Sequence, residues 1–124
     1  MLVATPGCVF ELERGPDWLL VRIKSLEPDA MELPGLAEEI WSLLERHFTY
    51  RLVLEMDGLD VLRSCLIAQL ILLRAKIRKH KGILRLCGLS EHNKEVLHTC
   101  HLDSRLPHYA NRVEAVMGCP SKPR

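Results

Sequence analysis

The sequence predicts an α/β fold, in which a mixed β-sheet of about four or five strands packs against about four helices. Short apolar runs alternate with amphipathic segments of helical length along the chain. Strands that are joined through helices must run parallel, and only an N-terminal hairpin is expected to add an antiparallel pair. The length of 124 residues suits one domain. The predicted order of elements is β-β-α-β-α-β-α-β-α.

The first part of the chain is predicted to form a hairpin followed by a loop. Residues 8–13, CVFELE, alternate apolar and acidic side chains, which is typical of a half-buried strand. The turn residues RGPD at 14–17 lead into a second strand, WLLVRIK, at 18–24. Two prolines interrupt LEPDAMELPG at 26–35, so we expect a loop there.

Helices and buried strands alternate in the rest of the chain. The first helix is predicted to begin at about Pro34, because proline suits the first helical position. A third helix is predicted to have Ser90 as its N-cap. Residues 1–118 are predicted to form a single domain, and residues 119–124, CPSKPR, a flexible tail. The other predicted elements are strands at 50–56, 83–87 and 106–110, and helices at about 62–80 and 112–118.

Composition argues against two classes of partner, nucleic acid and membrane. Seventeen Lys and Arg residues against sixteen Asp and Glu leave a net charge of +1. The only local basic run is RAKIRKHK at 74–81, which we interpret as the solvated end of the second helix rather than a nucleic-acid surface. We find no secretory signal and no apolar stretch of membrane-spanning length, so a soluble, cytoplasmic protein is expected.

Cysteine and histidine do not occur at metal-binding spacing. The five cysteines form an odd set with no CxxC pair and are interpreted as free thiols. In HTCH, His98 and His101 are three residues apart while Cys100 points elsewhere on the helix, so no zinc site is predicted. GxSxG, HExxH and P-loop motifs do not occur either. We therefore expect a protein without metal, cofactor or enzymatic activity.

The most unusual stretch is LDVLRSCLIAQL at 59–70, where a loop runs into the second helix. Ser64 either caps that helix or accepts a modification. Cys65 either packs as a small apolar side chain or forms a reactive thiol, because a helix N-terminus and the adjacent Arg63 both favour thiolate. The apolar residues that follow, 66–73, are either buried all round or leave one flank exposed to a partner.

The C-terminal half resembles the STAS family, the anti-anti-sigma factors of bacterial partner-switching systems. The resemblance is carried by residues 50–118, which begin YRLVLEMDGLDVLRSC and include ILRLCGLSEHNKEVLHTCHLDSRLPHYANRVEAV at 83–116. These follow the family's order of strand, GLSP-type turn, third helix, GLD-like link and closing helix. PDAMELPGLAEEI at 28–40 agrees more loosely, with Asp29 in a typical aspartate position. The resemblance implies a non-enzymatic regulatory adaptor that binds an anti-sigma-type serine kinase or another protein of a signalling complex.

Members of this family are phosphorylated by the kinase partner on a serine at the start of the second helix, within an Asp-Ser-Ser/Thr-Gly pattern. Here the pattern falls on Arg63-Ser64-Cys65-Leu66, so Cys65 occupies the phosphoacceptor position. The resemblance therefore implies that the usual phosphoserine switch is lost or altered, with Ser64 as the alternative, shifted phosphosite. The expected partner-binding residues are Arg63, Ser64, Cys65, Leu66, Gln69 and Asp29.

A second hypothesis belongs to a different functional class. STAS-like domains elsewhere are attached to transporters and sensors, so the resemblance also allows a small-ligand or redox-sensing domain that uses Cys65. The adaptor hypothesis depends on a protein-binding surface, whereas the sensor hypothesis depends on a reactive thiol.

Overall fold

One mixed sheet of six strands, arranged in the order of the chain, organises the protein. The computed structural model describes residues 1–29 and 31–118, so the predicted tail at 119–124 lies outside the described residues. The strands are β1 (Leu2–Thr5), β2 (Cys8–Arg14), β3 (Leu19–Leu26), β4 (Arg51–Glu55), β5 (Ile83–Cys87) and β6 (His108–Tyr109). The helices are α1 (Leu36–Arg46), α2 (Ser64–Lys79), α3 (Glu91–Thr99) and α4 (Arg112–Met117). The predicted α/β class is confirmed.

The sheet is antiparallel at its N-terminal side and parallel elsewhere. β1, β2 and β3 pair antiparallel, and β3, β4, β5 and β6 pair parallel in sequence. Each parallel step moves in the same direction across the sheet, so right-handed crossovers bring α1, α2 and α3 to one face. α4 packs on the other face, where Ala115 meets the buried side chains of Trp18, Leu20, Val53 and Cys87.

The sheet has one strand more than the four or five predicted. LVAT at 2–5 forms β1, which pairs with β2 from Leu2 opposite Glu11 to Thr5 opposite Cys8. Gly7, with a φ of 81°, completes the two-residue turn between them. As an edge strand β1 has no buried residue and therefore no clear alternation of apolar and polar side chains. The antiparallel part consequently has two pairs rather than the single predicted hairpin.

Local signals predicted one helix start correctly and one incorrectly. The Ser90 hydroxyl accepts a hydrogen bond from the Asn93 backbone N–H at 3.1 Å, which confirms Ser90 as the N-cap of α3. The first helix begins later than predicted. Its N-cap is Gly35, whose φ of 77° turns the chain into the helix, and Pro34 stays in the preceding loop.

Helix α2 is buried along one face and open along the other. Leu66, Leu70, Leu73 and Ile77 face the core at helical spacing. On the outer face, Leu72 is 54% exposed. Of the two alternatives for the apolar run, burial all round is therefore wrong, and one flank of the helix is accessible.

A buried carboxylate ties α4 to the sheet. Glu55, at the end of β4, is 3% exposed and lies within the strand predicted at 50–56, where the other residues that face inward are apolar. Its carboxylate accepts hydrogen bonds from Arg112 Nε at 2.5 Å and Nη2 at 3.1 Å, and from Arg22 Nε at 3.2 Å. Arg112 also pairs with Glu13 of β2 at 2.6 Å. Burial alone would raise the pKa of Glu55, but the hydrogen bonds and charges of Arg112 and Arg22 outweigh it and lower the pKa.

A buried amide side chain fixes the loop that enters α2. Asn93, in the first turn of α3, is fully buried. Its Oδ1 accepts a hydrogen bond from the Leu62 backbone N–H at 2.8 Å, and its Nδ2 donates to the Leu59 carbonyl at 3.3 Å. Buried backbone groups need partners, and here one side chain supplies both. The course of residues 56–63 therefore depends on Asn93.

Replacing Arg112 by methionine is expected to lower the free energy of unfolding by about 2 kcal/mol, because Glu55 keeps only Arg22 as a partner. The loss is smaller than for a fully buried pair, since the Arg112 side chain is 41% exposed. Urea unfolding followed by circular dichroism measures it. In the control Arg14→Met, an exposed arginine of β2 changes and the value should stay within about 0.5 kcal/mol of wild type. Equal losses in both variants would contradict a role for the buried pair.

Replacing Asn93 by leucine is expected to lower the free energy of unfolding by about 2–3 kcal/mol, because the Leu62 N–H and the Leu59 carbonyl lose their partner. Amide hydrogen exchange should also show lower protection of Leu62 relative to the strands. The control Ser90→Ala removes the N-cap of the same helix, at a cost of about 1 kcal/mol, without touching the loop. If Leu62 keeps its relative protection in Asn93→Leu, the loop is held by other contacts.

Candidate functional site

The candidate site consists of the first turn of α2 and two loops beside it. Residues 56–63 connect β4 to α2, and residues 27–35 connect β3 to α1. Both loops leave the same edge of the sheet because β3 and β4 are parallel. Arg63 joins the loops, since its Nη1 donates a hydrogen bond to the Glu27 carbonyl. The predicted switch region is therefore a surface shared by two crossovers.

Ser64 does not cap α2. Arg63 is the N-cap residue, with extended backbone and no capping hydrogen bond from its side chain, and Ser64 is the first helical residue. A capping hydroxyl must belong to the N-cap residue itself, so a shift of one position removes the function. The capping interpretation of Ser64 is wrong. Its side chain is exposed to solvent instead.

Cys65 turns inward from the same helical turn. Its side chain is half-buried and packs against the main core. It also borders a cleft of about 270 Å³ formed with Met31, Glu32, Leu33, Pro34, Ala68 and Gln69. Adjacent residues thus face different environments, with the serine hydroxyl in solvent and the thiol against the loop that precedes α1.

The other predicted partner residues have different environments. Leu66 is completely buried, because the third helical residue of α2 faces the sheet, so the prediction that it contacts a partner is wrong. Gln69 is half-buried, and its Oε1 accepts a hydrogen bond from the Ala37 backbone N–H at 2.9 Å. It thereby satisfies a free N–H group in the first turn of α1. Asp29 is exposed in the loop at 27–35.

Two exposed apolar side chains at this site had not been singled out from the sequence. Met31 is 87% exposed and Val61 is 53% exposed, one in each of the two loops. A cleft of about 400 Å³ lies between the end of β3 and the loop at 56–63, lined in part by Asp60, Val61 and Arg63. Apolar side chains surrounded by charged ones are typical of protein-binding surfaces. Neither could be singled out from the sequence, because both loops also contain apolar residues that are buried, such as Leu33 in one and Leu62 in the other.

The chemistry available here is that of binding and modification. The site combines an exposed hydroxyl, a neighbouring guanidinium group and exposed apolar surface. Within residues 1–29 and 31–118, no three His, Cys, Asp or Glu side chains are grouped so that they could hold a metal ion. Over the same residues, no helix has the length and apolar character needed to cross a membrane.

Solved structures with a similar fold include three proteins of low sequence identity to this chain. An anti-sigma factor antagonist from Mycobacterium paratuberculosis has a TM-score of 0.74 and 19% sequence identity, covering 93% of this chain and 96% of that one. An anti-sigma-factor antagonist (STAS) domain protein from Planctomyces limnophilus has a TM-score of 0.65 and 19% identity, covering 88% and 96%. The phosphorylated form of SpoIIAA, a cell fate determinant of Bacillus, has a TM-score of 0.63 and 15% identity, covering 88% and 97%.

At these low identities the structural similarity shows only a shared fold, so family membership depends on the comparison of sequences. A search of curated protein sequences gave no significant match. A family model described as the STAS domain, however, matches residues 10–115, from the second strand to the last helix. The match includes both loops of the candidate site and all of α2. The chain therefore belongs to the STAS domain family.

Proposed function

We propose that the protein is a non-enzymatic regulatory adaptor, of the anti-sigma factor antagonist type, that binds a protein through the first turn of α2. The observation that carries this proposal is the surface formed there by Met31, Val61, Arg63 and Ser64, where two loops meet. It combines exposed apolar area with a charge and a hydroxyl, as protein-binding surfaces do. Membership of the STAS family supports the same role.

The proposed partner is an anti-sigma-type serine kinase or another protein of a signalling complex. Two of the similar structures are described as anti-sigma factor antagonists, which supports this class of partner. Arg63 replaces the aspartate that the family pattern has at this position, so the local charge is reversed. The partner surface that faces Arg63 is expected to carry a complementary negative charge.

We further propose that the usual phosphoserine switch is lost or altered. The phosphoacceptor position holds Cys65, and a thiol is not a substrate for a protein serine kinase. SpoIIAA, by contrast, has been solved in both a phosphorylated and an unphosphorylated form. If a switch operates in this chain, the exposed Ser64 is the candidate acceptor. A phosphate there would lie near Arg63 and at the positive end of a 16-residue helix.

Redox sensing by Cys65 has less support than the adaptor role. The thiol is half-buried against the core, whereas redox-sensor cysteines are characteristically solvent-accessible. Its place beside the cleft with Met31 and Pro34 suits packing at least as well as ligand binding. The adaptor proposal explains the exposed loop residues, and the sensor hypothesis does not.

Val61→Asp is expected to weaken binding to the cognate anti-sigma-type kinase by at least about tenfold, because it places a charge in the proposed interface. Biolayer interferometry with the purified kinase measures the change. Val113→Asp is the matched control, since it makes the same substitution at a valine of similar exposure, 60% against 53%, on the opposite face of the sheet. Equal loss in both variants, or no loss in Val61→Asp, would count against this surface.

The double variant Arg63→Asp with Cys65→Ser restores two positions of the family pattern while leaving buried Leu66 unchanged. With the cognate kinase and ATP, we expect mass spectrometry to detect phosphate at position 65 of this variant and none at that position in wild type. Any phosphate on wild type should lie on Ser64, and Ser64→Ala should abolish it. If wild-type Ser64 carries no phosphate, the switch is lost. If wild-type Ser64 is phosphorylated, the switch is altered. Phosphate at any other wild-type residue would refute both forms of the proposal.

A further inference from the structure

The basic run at the end of α2 meets a distant part of the chain. Arg74 and Arg78 extend from α2, and Arg105 lies between α3 and β6. Together with Ser104 they line a pocket of about 190 Å³, whose other wall is the start of β5. The pocket lies at the end of α2 opposite to Ser64, so it is separate from the proposed partner surface.

Like charges lie near Arg74, since Arg78 is four residues further along the same helix and Arg105 lines the same pocket. Arg74 is half-buried, and burial together with the charges of Arg78 and Arg105 lowers its pKa. Among the residues that the structure describes, none of the three forms a salt bridge with a carboxylate. Arg22 and Arg112, by contrast, share Glu55. The pocket therefore gathers three guanidinium groups that form no ion pair with a carboxylate of the described residues.

The helix dipole explains only part of this arrangement. Cations are favoured in the last turn of a helix, where α2 carries Lys76, Arg78 and Lys79. Arg74 precedes that turn, and Arg105 belongs to a different part of the chain. The dipole therefore gives no reason for these two side chains to share a pocket.

Size and geometry indicate the class of ligand. Guanidinium groups bind phosphate oxygens through paired hydrogen bonds, and several of them together suit a multiply charged phosphate. The pocket is smaller than the roughly 300 Å³ at which sites for drug-sized ligands begin. A polyanion such as nucleic acid would call for a longer basic surface, and the net charge is only +1. We propose that Arg74, Arg78, Ser104 and Arg105 bind the phosphate or pyrophosphate group of a small soluble compound.

The test uses inorganic pyrophosphate as the probe, titrated into the full chain at low ionic strength by isothermal titration calorimetry. Saturable binding with one site per chain is expected. Arg74→Gln and Arg105→Gln should each weaken it by at least about tenfold. Arg105→Lys keeps the charge but loses the paired donors, so it should weaken binding to a smaller extent. Arg46→Gln is the control, because it removes an arginine from the last turn of α1, outside the pocket.

Two results from this titration would overturn the proposal. One is no saturable binding by wild type, and the other is the same loss in Arg46→Gln as in Arg105→Gln. Thermal unfolding checks that the variants fold. Since Arg74 and Arg105 lie on separate elements, a loss in both with unchanged melting temperatures supports the pocket.

Two further arms separate the sources of phosphate. Phosphatidylcholine vesicles containing phosphatidic acid offer a lipid phosphate, and a single-stranded oligonucleotide offers a polyanion. If either binds through Arg74 and Arg105 while pyrophosphate does not, the small soluble ligand is refuted. If pyrophosphate binds in the presence of both and is not displaced, the proposal is supported. The proposed partner surface is unaffected by either result, because it involves none of these residues.

Discussion

The hydrogen bonds of Asn93 connect parts of the chain that are far apart in sequence, and the candidate site depends on them. The Asn93 backbone N–H donates to the hydroxyl of Ser90, the N-cap of α3, while the Asn93 side chain bonds to the backbone of Leu62 and Leu59 in the loop before α2. These side-chain bonds are buried, so water cannot replace them, and a loop that lost them would carry unpaired polar groups. The direction in which α2 leaves the sheet therefore depends on Asn93. The position of Ser64 at the surface is a consequence.

Other hydrogen bonds around Asn93 position the loops and helices of the candidate site, and, apart from Arg63, the residues that form them differ from the exposed residues that a partner could contact. Gln69 fastens α2 to the first turn of α1, and Arg63 joins the two loops through the Glu27 carbonyl. On the far face, Arg112 ties α4 to buried Glu55. Each of these polar side chains forms a hydrogen bond within the protein. In the family pattern, the position that keeps its residue, Ser64, is exposed, whereas the rewritten positions Arg63, Cys65 and Leu66 bond to the Glu27 carbonyl or pack in the core. The rewritten residues therefore contribute to the fold themselves, which explains how the pattern can differ here without loss of the fold.

Periodicity was sufficient to predict the α/β class, the four helices and the N-cap Ser90, because these depend on neighbours within a few residues. It could not predict β1, whose side chains are not buried and which is defined only by pairing with β2. Glu55 was hidden in an apolar run, since its burial requires an arginine 57 residues away. The resemblance placed the family pattern at the start of α2, where the structure has Arg63 and Ser64, and the role of this region stays a prediction. The resemblance could not assign Ser64 and Leu66 to surface and core, because the helix start was predicted only approximately, at about residue 62 or with Ser64 as the N-cap, whereas the observed N-cap is Arg63.

Helix α2 links the two proposed sites and limits how they can influence each other. Its 16 residues span about 24 Å, with the partner surface at one end and the arginine pocket near the other. Leu66, Leu70, Leu73 and Ile77 attach it to the core along its whole length, so its two ends cannot move independently. A phosphate compound in the arginine pocket can alter the affinity for the partner only if α2 adopts two positions and the compound binds more tightly to one of them. Without such a second position, the two sites act independently, even though one helix carries both.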